Sequence, residues 1–232
     1  MSKDKPSAKD LKKSLFSQKK HASLLIKDGE IKKADKFCED YKKFLNQAKT
    51  EREAVEFAVK QLEENGFVKF SKNMKLSAGS KVYYNNRGKA IIASIIGTDP
   101  IEEGTRICAA HIDSPRLDLK QCPVYEADEI ALFKTHYYGG IKKYQWTTIP
   151  LSLHGVIVKQ DGTSVKINIG EDENDPVFCV TDLLPHLATE QMKRPATQIV
   201  TGEELNIVIG SRPFKSDSES ELVKLNILKI LN

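Results

Sequence analysis

Five histidines and one dense acidic run are the groups through which this sequence could do chemistry. The pair that stands out is His111 and Asp113, in His111-Ile112-Asp113-Ser114-Pro115. A neutral imidazole is a good zinc ligand. A carboxylate two residues on can accept a hydrogen bond from the other ring nitrogen, which fixes the tautomer and makes the ligand more basic. Thr105-Arg106-Ile107-Cys108-Ala109-Ala110 reads as a short apolar strand running into this segment. Open α/β sheets place their sites beyond such strand ends. Ala109 and Ala110 leave room for a metal and its other ligands, and Pro115 stiffens the turn that follows. The same triplet also describes a strand-end histidine bonded to a nearby aspartate, and residue types alone leave both readings open.

The other candidates are weaker. His154 lies in an apolar strand pattern and reads as a core or surface histidine. His136 precedes Tyr137-Tyr138-Gly139-Gly140, where paired glycines permit unusual backbone. His186 follows a proline in Leu183-Leu184-Pro185-His186-Leu187, and His21 sits in the lysine-rich start. The run Glu171-Asp172-Glu173-Asn174-Asp175 lacks the ligand spacing and central glycine of a calcium loop and reads as a solvated turn. No G-x-S-x-G elbow and no Gly-rich phosphate loop is present.

The elements that would position these groups change character along the chain. Residues 1 to about 66 read as helical, with Phe37, Tyr41, Phe44, Leu45 and Ala48 on one face. Thr50-Glu51-Arg52-Glu53 is a capping-box pattern, and Asn65-Gly66 supplies a left-handed stop to the helix it opens. Lys81–Tyr84 and Lys89–Ile96 then flank a hairpin turn at Asn85-Asn86-Arg87-Gly88. Leu151–Val158 and Ser164–Ile169 form a second hairpin pattern, and Leu205–Ile209 a further strand. Asp182–Met192 reads as a helix or helical turn. Ser218–Asn232 reads as an amphipathic helix, with Leu222, Leu225, Leu228 and Leu231 at regular spacing. This order predicts an α/β fold interrupted by a β-rich insertion.

Composition narrows the class. Of 232 residues, 40% are hydrophobic and 29% charged, as in a folded globular protein. The net charge of +4 owes much to Lys3, Lys5, Lys9, Lys12, Lys13, Lys19 and Lys20. Only Phe16 interleaves these lysines, so the run reads as a solvated helix or tail and no nucleic-acid partner is expected. Cys38, Cys108, Cys122 and Cys179 show no C-x-x-C pair, and Cys108 reads as a small hydrophobe in its strand. Reduced cysteines and a cytoplasmic setting fit best. The start, Met1-Ser2-Lys3-Asp4-Lys5, precedes no apolar stretch of signal-peptide length, and no segment has membrane-spanning length.

Longer segments carry a resemblance. Ala110–Lys120, Phe133–Trp146, Ile169–Glu173, Asp182–Ala188 and Gly202–Asn206 together resemble the bacterial branch of the aspartyl aminopeptidase / aminopeptidase I family of zinc metallopeptidases. The resemblance runs from about residue 36 to the end. It implies a catalytic α/β part in residues 1–117, an inserted β-rich dimerisation domain in residues 118–215, and a return toward the catalytic domain in residues 216–232. It implies an aminopeptidase acting on peptide substrates with two divalent metals, and a dimer-based homo-oligomer joined through residues 118–215. By the same resemblance His111 binds one zinc, Asp113 orients it, and His186 stabilises an oxyanion in a neighbouring subunit's site. Family members are roughly twice as long, and their bridging aspartate, general base and remaining ligands lie downstream of the segments matched here. A hydrolytic site needs about three or four protein ligands per metal and a base. These 232 residues are therefore expected to be inactive alone, the alternative being a non-catalytic self-association fragment.

Overall fold

Residues 7–17, 19–216 and 219–231 are described in a computed structural model of the chain. Lys3, Lys5 and the rest of the first six residues lie outside them, as do Ser218 and Asn232. The chain divides into two compact units, Met1–Gln47 and Ala48–Asn232.

The first unit is helical. It contains α1 (Ala8–Leu15), a 3-10 turn (Ala22–Leu24) and α2 (Asp28–Gln47). Ser7 caps α1 through the amide of Asp10. The expected stripe lies on α2, but Phe37, Tyr41 and Leu45 are exposed and Ala48 falls beyond its last turn.

The second unit begins with the capping box. The Glu53 carboxylate accepts the Lys49 and Thr50 amides at 3.0 and 2.9 Å, and Thr50 Oγ1 accepts the Glu53 amide at 3.4 Å. Three amides at the start of α3 (Glu51–Glu64) are thereby satisfied, two by Glu53 and one by Thr50. Just past the C-cap Asn65 comes Gly66, whose φ of +81° suits a residue without Cβ. Ala54 and Val55 are its buried side chains. They face a sheet in which β1 (Val68–Lys69) runs parallel to β2 (Lys81–Asn86), and β2 antiparallel to β3 (Ala90–Ile95). Arg87 and Gly88 both take positive φ in the predicted turn, and Asn85 Oδ1 accepts the Gly88 amide at 2.7 Å.

The expected strand at Thr105–Ala110 does not form. Residues 104–115 have no regular structure, Ile107 is 81% exposed, and Cys108 is exposed too. A strand is held by a neighbour that takes its amides and carbonyls. Among the described residues none is bonded to the backbone of 105–110.

Beyond it, β4 (Arg116–Ala127) and β5 (Ile130–Tyr138) form a long hairpin, turned at Asp128 and Glu129 with positive φ at both. A bulge separates Leu119, opposite Thr135, from Val124, opposite Phe133. With β8 (Cys179–Val180) and β9 (Ile207–Gly210) the order is β4-β5-β9-β8. A separate hairpin pairs β6 (Leu153–Val158) with β7 (Ser164–Ile169). Phe133, Val180, Val200, Leu205 and Ile207 form the core, flanked by Trp146, Leu117 and Phe178. Thr135 is buried there and its hydroxyl donates to the Leu205 carbonyl.

Two readings change in detail. Asp182–Met192 is not an α-helix; a single turn, closed by the Ala188 amide on the Leu184 carbonyl at 3.0 Å, precedes a 3-10 turn at Gln191–Lys193. The last helix is α4 (Leu222–Leu231), and it buries Val223 rather than the leucine stripe. Leu225, Leu228 and Leu231 are exposed. Ile227, one turn from Val223, packs so close to Gly210 that a Cβ there would fall 2.8 Å from its Cδ1.

Candidate metal centre

His111 and Asp113 sit in the irregular segment that leads into β4. The His111 side chain is 83% exposed. Its Nδ1 lies 3.0 Å from the Asp113 carbonyl oxygen and 3.1 Å from Asp113 Oδ1. Both neighbours are acceptors, so the ring proton belongs on Nδ1. No described residue bonds to Nε2. That is the tautomer in which Nε2 presents a lone pair to a metal.

Asp113 is itself held. Its Oδ2 accepts the Tyr138 hydroxyl at 2.9 Å. This bond, the aspartate's own amide and His111 keep its carboxyl below the usual range, and the same carboxylate pushes the Tyr138 phenol up. Tyr138 ends β5 opposite Arg116, the first residue of β4. The Arg116 guanidinium lies 4.2 Å from the centre of the tyrosine ring. Arg116 is fixed in turn by Asp118 at 2.7 Å and by Glu51, at the start of α3, at 3.5 Å. After Tyr138 the chain turns at Gly139, with φ of +79°. None of this second tier was singled out in the sequence. The only signal there was the crowding of Tyr137, Tyr138 and two glycines after His136.

The fit to zinc is good in kind and incomplete in number. One open imidazole nitrogen, oriented by a carboxylate, is what zinc takes from a histidine. No cluster of three or more His, Cys, Asp or Glu side chains able to hold a metal exists among the described residues. A shallow apolar hollow lined by Phe70, Leu76, Tyr84 and Ile92 lies on the first sheet and offers no such ligand.

The remaining histidines separate clearly. His186 lies exposed in the turn after Pro185, and no hydrogen bond or ion pair joins it to His111 or Asp113. His136 is exposed on β5 and stacks on Tyr137, with centroids 5.8 Å apart. The Nδ1 of His21 lies 2.6 Å from Ser23 Oγ. His154 is engaged on both sides, by Glu53 Oε1 at 2.8 Å on Nδ1 and by Glu171 Oε1 at 3.0 Å on Nε2. The acidic run closes on itself. Asp175 accepts the amides of Gly170 and Asp172, and these bonds lower its carboxyl pKa.

The model of the family described as aminopeptidase I zinc metalloprotease (M18) matches residues 44–232. The chain belongs to the M18 family. A relative from Clostridium acetobutylicum, named "Probable M18 family aminopeptidase 1", is 50% identical over 222 residues, which cover 94% of this chain and 48% of that protein. Among solved structures, an M18 aminopeptidase from Thermotoga maritima superposes with a TM-score of 0.85 at 44% identity, covering 93% of this chain and 46% of that one. Aminopeptidase I from Clostridium acetobutylicum gives 0.81 at 45% identity, covering 94% and 49%. The chain spans about half the length of the curated M18 relatives it matches.

Proposed function

We propose that this chain is the N-terminal part of a zinc-dependent aminopeptidase that removes N-terminal residues from peptides. Residues 1–117 and 216–232 belong to the catalytic domain and residues 118–215 to an inserted β-rich dimerisation domain. The observation that carries the reading is the His111 ring, whose Nδ1 is occupied by Asp113 and whose Nε2 is open. In a complete site two divalent metals would supply Lewis acidity and a water of lowered pKa. This chain contributes His111 as one ligand and Asp113 as the group that keeps the ring proton on Nδ1. His186 supplies an oxyanion donor to a neighbouring subunit. Its surroundings support a homo-oligomer, because Leu183, Leu184, Leu187 and Met192 are all exposed beside it. All four cysteines are free, which supports a cytoplasmic setting. No described helix is long and apolar enough to cross a membrane.

The test is a chimera in which this chain replaces the matching half of the Clostridium acetobutylicum relative. His111→Ala is expected to remove about one zinc per subunit and nearly all peptidase activity. Unchanged metal content with full turnover would overturn the assignment. His186→Ala is expected to lower turnover and leave zinc content intact. A second reading, a non-catalytic self-associating fragment, is favoured by the absence of further ligands among the described residues. The 232-residue chain alone is expected to show neither stoichiometric zinc nor activity, and either one would reject that second reading.

A further inference from the structure

The local backbone meets the His111–Asp113 pair at the Asp113 carbonyl oxygen, 3.0 Å from His111 Nδ1. Residues 104–115 belong to no helix or strand. A carboxylate on such a segment can swing away from an exposed imidazole, leaving the Asp113 carbonyl oxygen, on the same irregular segment, to hold Nδ1–H against the Nε2–H tautomer that a free histidine prefers. Among the described residues, the one bond that ties the pair to a regular element is the Tyr138 hydroxyl on Asp113 Oδ2. Tyr138 is well placed to act as an anchor. It ends a nine-residue strand, pairs in register with Arg116, and lies beneath that guanidinium. Arg116 is itself braced by Asp118 and Glu51, so the anchor is tied to β4 and to the first turn of α3. The two oxygens of Asp113 thus divide their work: Oδ2 is held by the strand and Oδ1 holds the ring.

We propose that Tyr138 is a positioning residue of the metal centre, fixing Asp113 so that His111 keeps its proton on Nδ1 and presents Nε2 outward. The proposal rests on the ligand role of His111 given above. Arg116 stiffens the anchor by packing on its ring and touches neither His111 nor Asp113 through any hydrogen bond.

The experiment reads the tautomer directly, without metal or turnover. In the 15N-labelled 232-residue chain, at a pH where the rings are neutral, the His111 ring-nitrogen shifts report the Nδ1–H and Nε2–H populations. The wild type is expected to be mainly Nδ1–H. Tyr138→Phe keeps the ring under Arg116 and is expected to shift the population several-fold toward Nε2–H, as Asp113→Ala does. Tyr137→Phe, which removes the neighbouring hydroxyl from the same strand, is expected to change nothing. In the chimera Tyr138→Phe should weaken zinc binding by about tenfold, within the range usual for groups that orient a ligand. A wild-type tautomer in Tyr138→Phe, with a shift in Asp113→Ala, overturns the role of Tyr138 and spares that of Asp113. No shift in Asp113→Ala removes the orienting role itself and the ligand reading with it. Equal shifts in Tyr137→Phe and Tyr138→Phe mean general disturbance of the strand, and also reject the proposal. Should either Phe variant unfold the short chain, zinc affinity in the chimera decides alone, an unchanged value rejecting the proposal.

Discussion

Two histidines of this chain stand in opposite circumstances. The His154 side chain is 9% exposed, with carboxylates on both ring nitrogens and the Ser152 hydroxyl 3.1 Å from Nε2. The His111 side chain is 83% exposed and has one nitrogen engaged. His154 joins elements far apart in sequence, α3 through Glu53 and the β6–β7 hairpin through Glu171. Lys166 and Glu56 repeat that link at 2.6 Å. Among the described residues His111 bonds Asp113 alone, within its own segment, and Asp113 in turn reaches Tyr138 at the end of β5. A ring whose donors and acceptors are all matched internally serves the fold. The other ring is half matched: acceptors face its Nδ1, and its Nε2 is open among the described residues.

The largest expected contrast is in amide exchange. Amides of 105–110 have no partner among the described residues and should exchange near the unprotected rate, while those of Phe133 and Ile207, inside the four-stranded sheet, should be slower by orders of magnitude. Equal protection would remove the distinction between the two regions. Next, His154→Leu leaves Glu53 and Glu171 facing a lost partner. It should cost about 2 kcal/mol of stability, read as a fall in the urea midpoint. A smaller effect is expected from pH. Burial raises the Glu53 carboxyl, but bonds and charge from His154, with bonds from Thr50, outweigh it and hold it below 4.5. Ser152 and His154 lower Glu171 likewise. Each carboxylate is therefore more acidic folded than unfolded. Its contribution is complete above pH 4.5 and is lost as pH falls through the depressed folded values. Acid titration of stability should show that decline, and His154→Leu should flatten it. The smallest effect belongs to His111→Ala in the metal-free chain, expected within ~0.5 kcal/mol of wild type as for an exposed side chain whose bonds stay within its own irregular segment.

What the sequence revealed of this fold was what neighbouring residues decide. The capping box at Thr50, the glycine stop at Gly66 and the hairpins around Arg87 and Gly162 are local, and all are found. The strand at Thr105–Ala110 failed because apolar character does not supply a pairing partner. The β4–β5 hairpin gave little warning. Its turn is Asp128-Glu129, without the glycine or asparagine that usually marks left-handed backbone, and its bulge breaks the alternation of β4. At the site, His111 and Asp113 were readable because they lie two residues apart. Tyr138 lies 25 residues from Asp113, and Glu53 lies 101 from His154, so only the folded chain brings them together.

The bare backbone before His111 has a consequence for metal capture. Its amides and carbonyls at 105–110 have no backbone partner among the described residues, and Ile107 and Cys108 are exposed beside them. A polypeptide that paired with this backbone would also set the direction of the imidazole at its end. If His111 is a zinc ligand as proposed, such pairing and zinc affinity would be linked equilibria, each strengthening the other by the same factor.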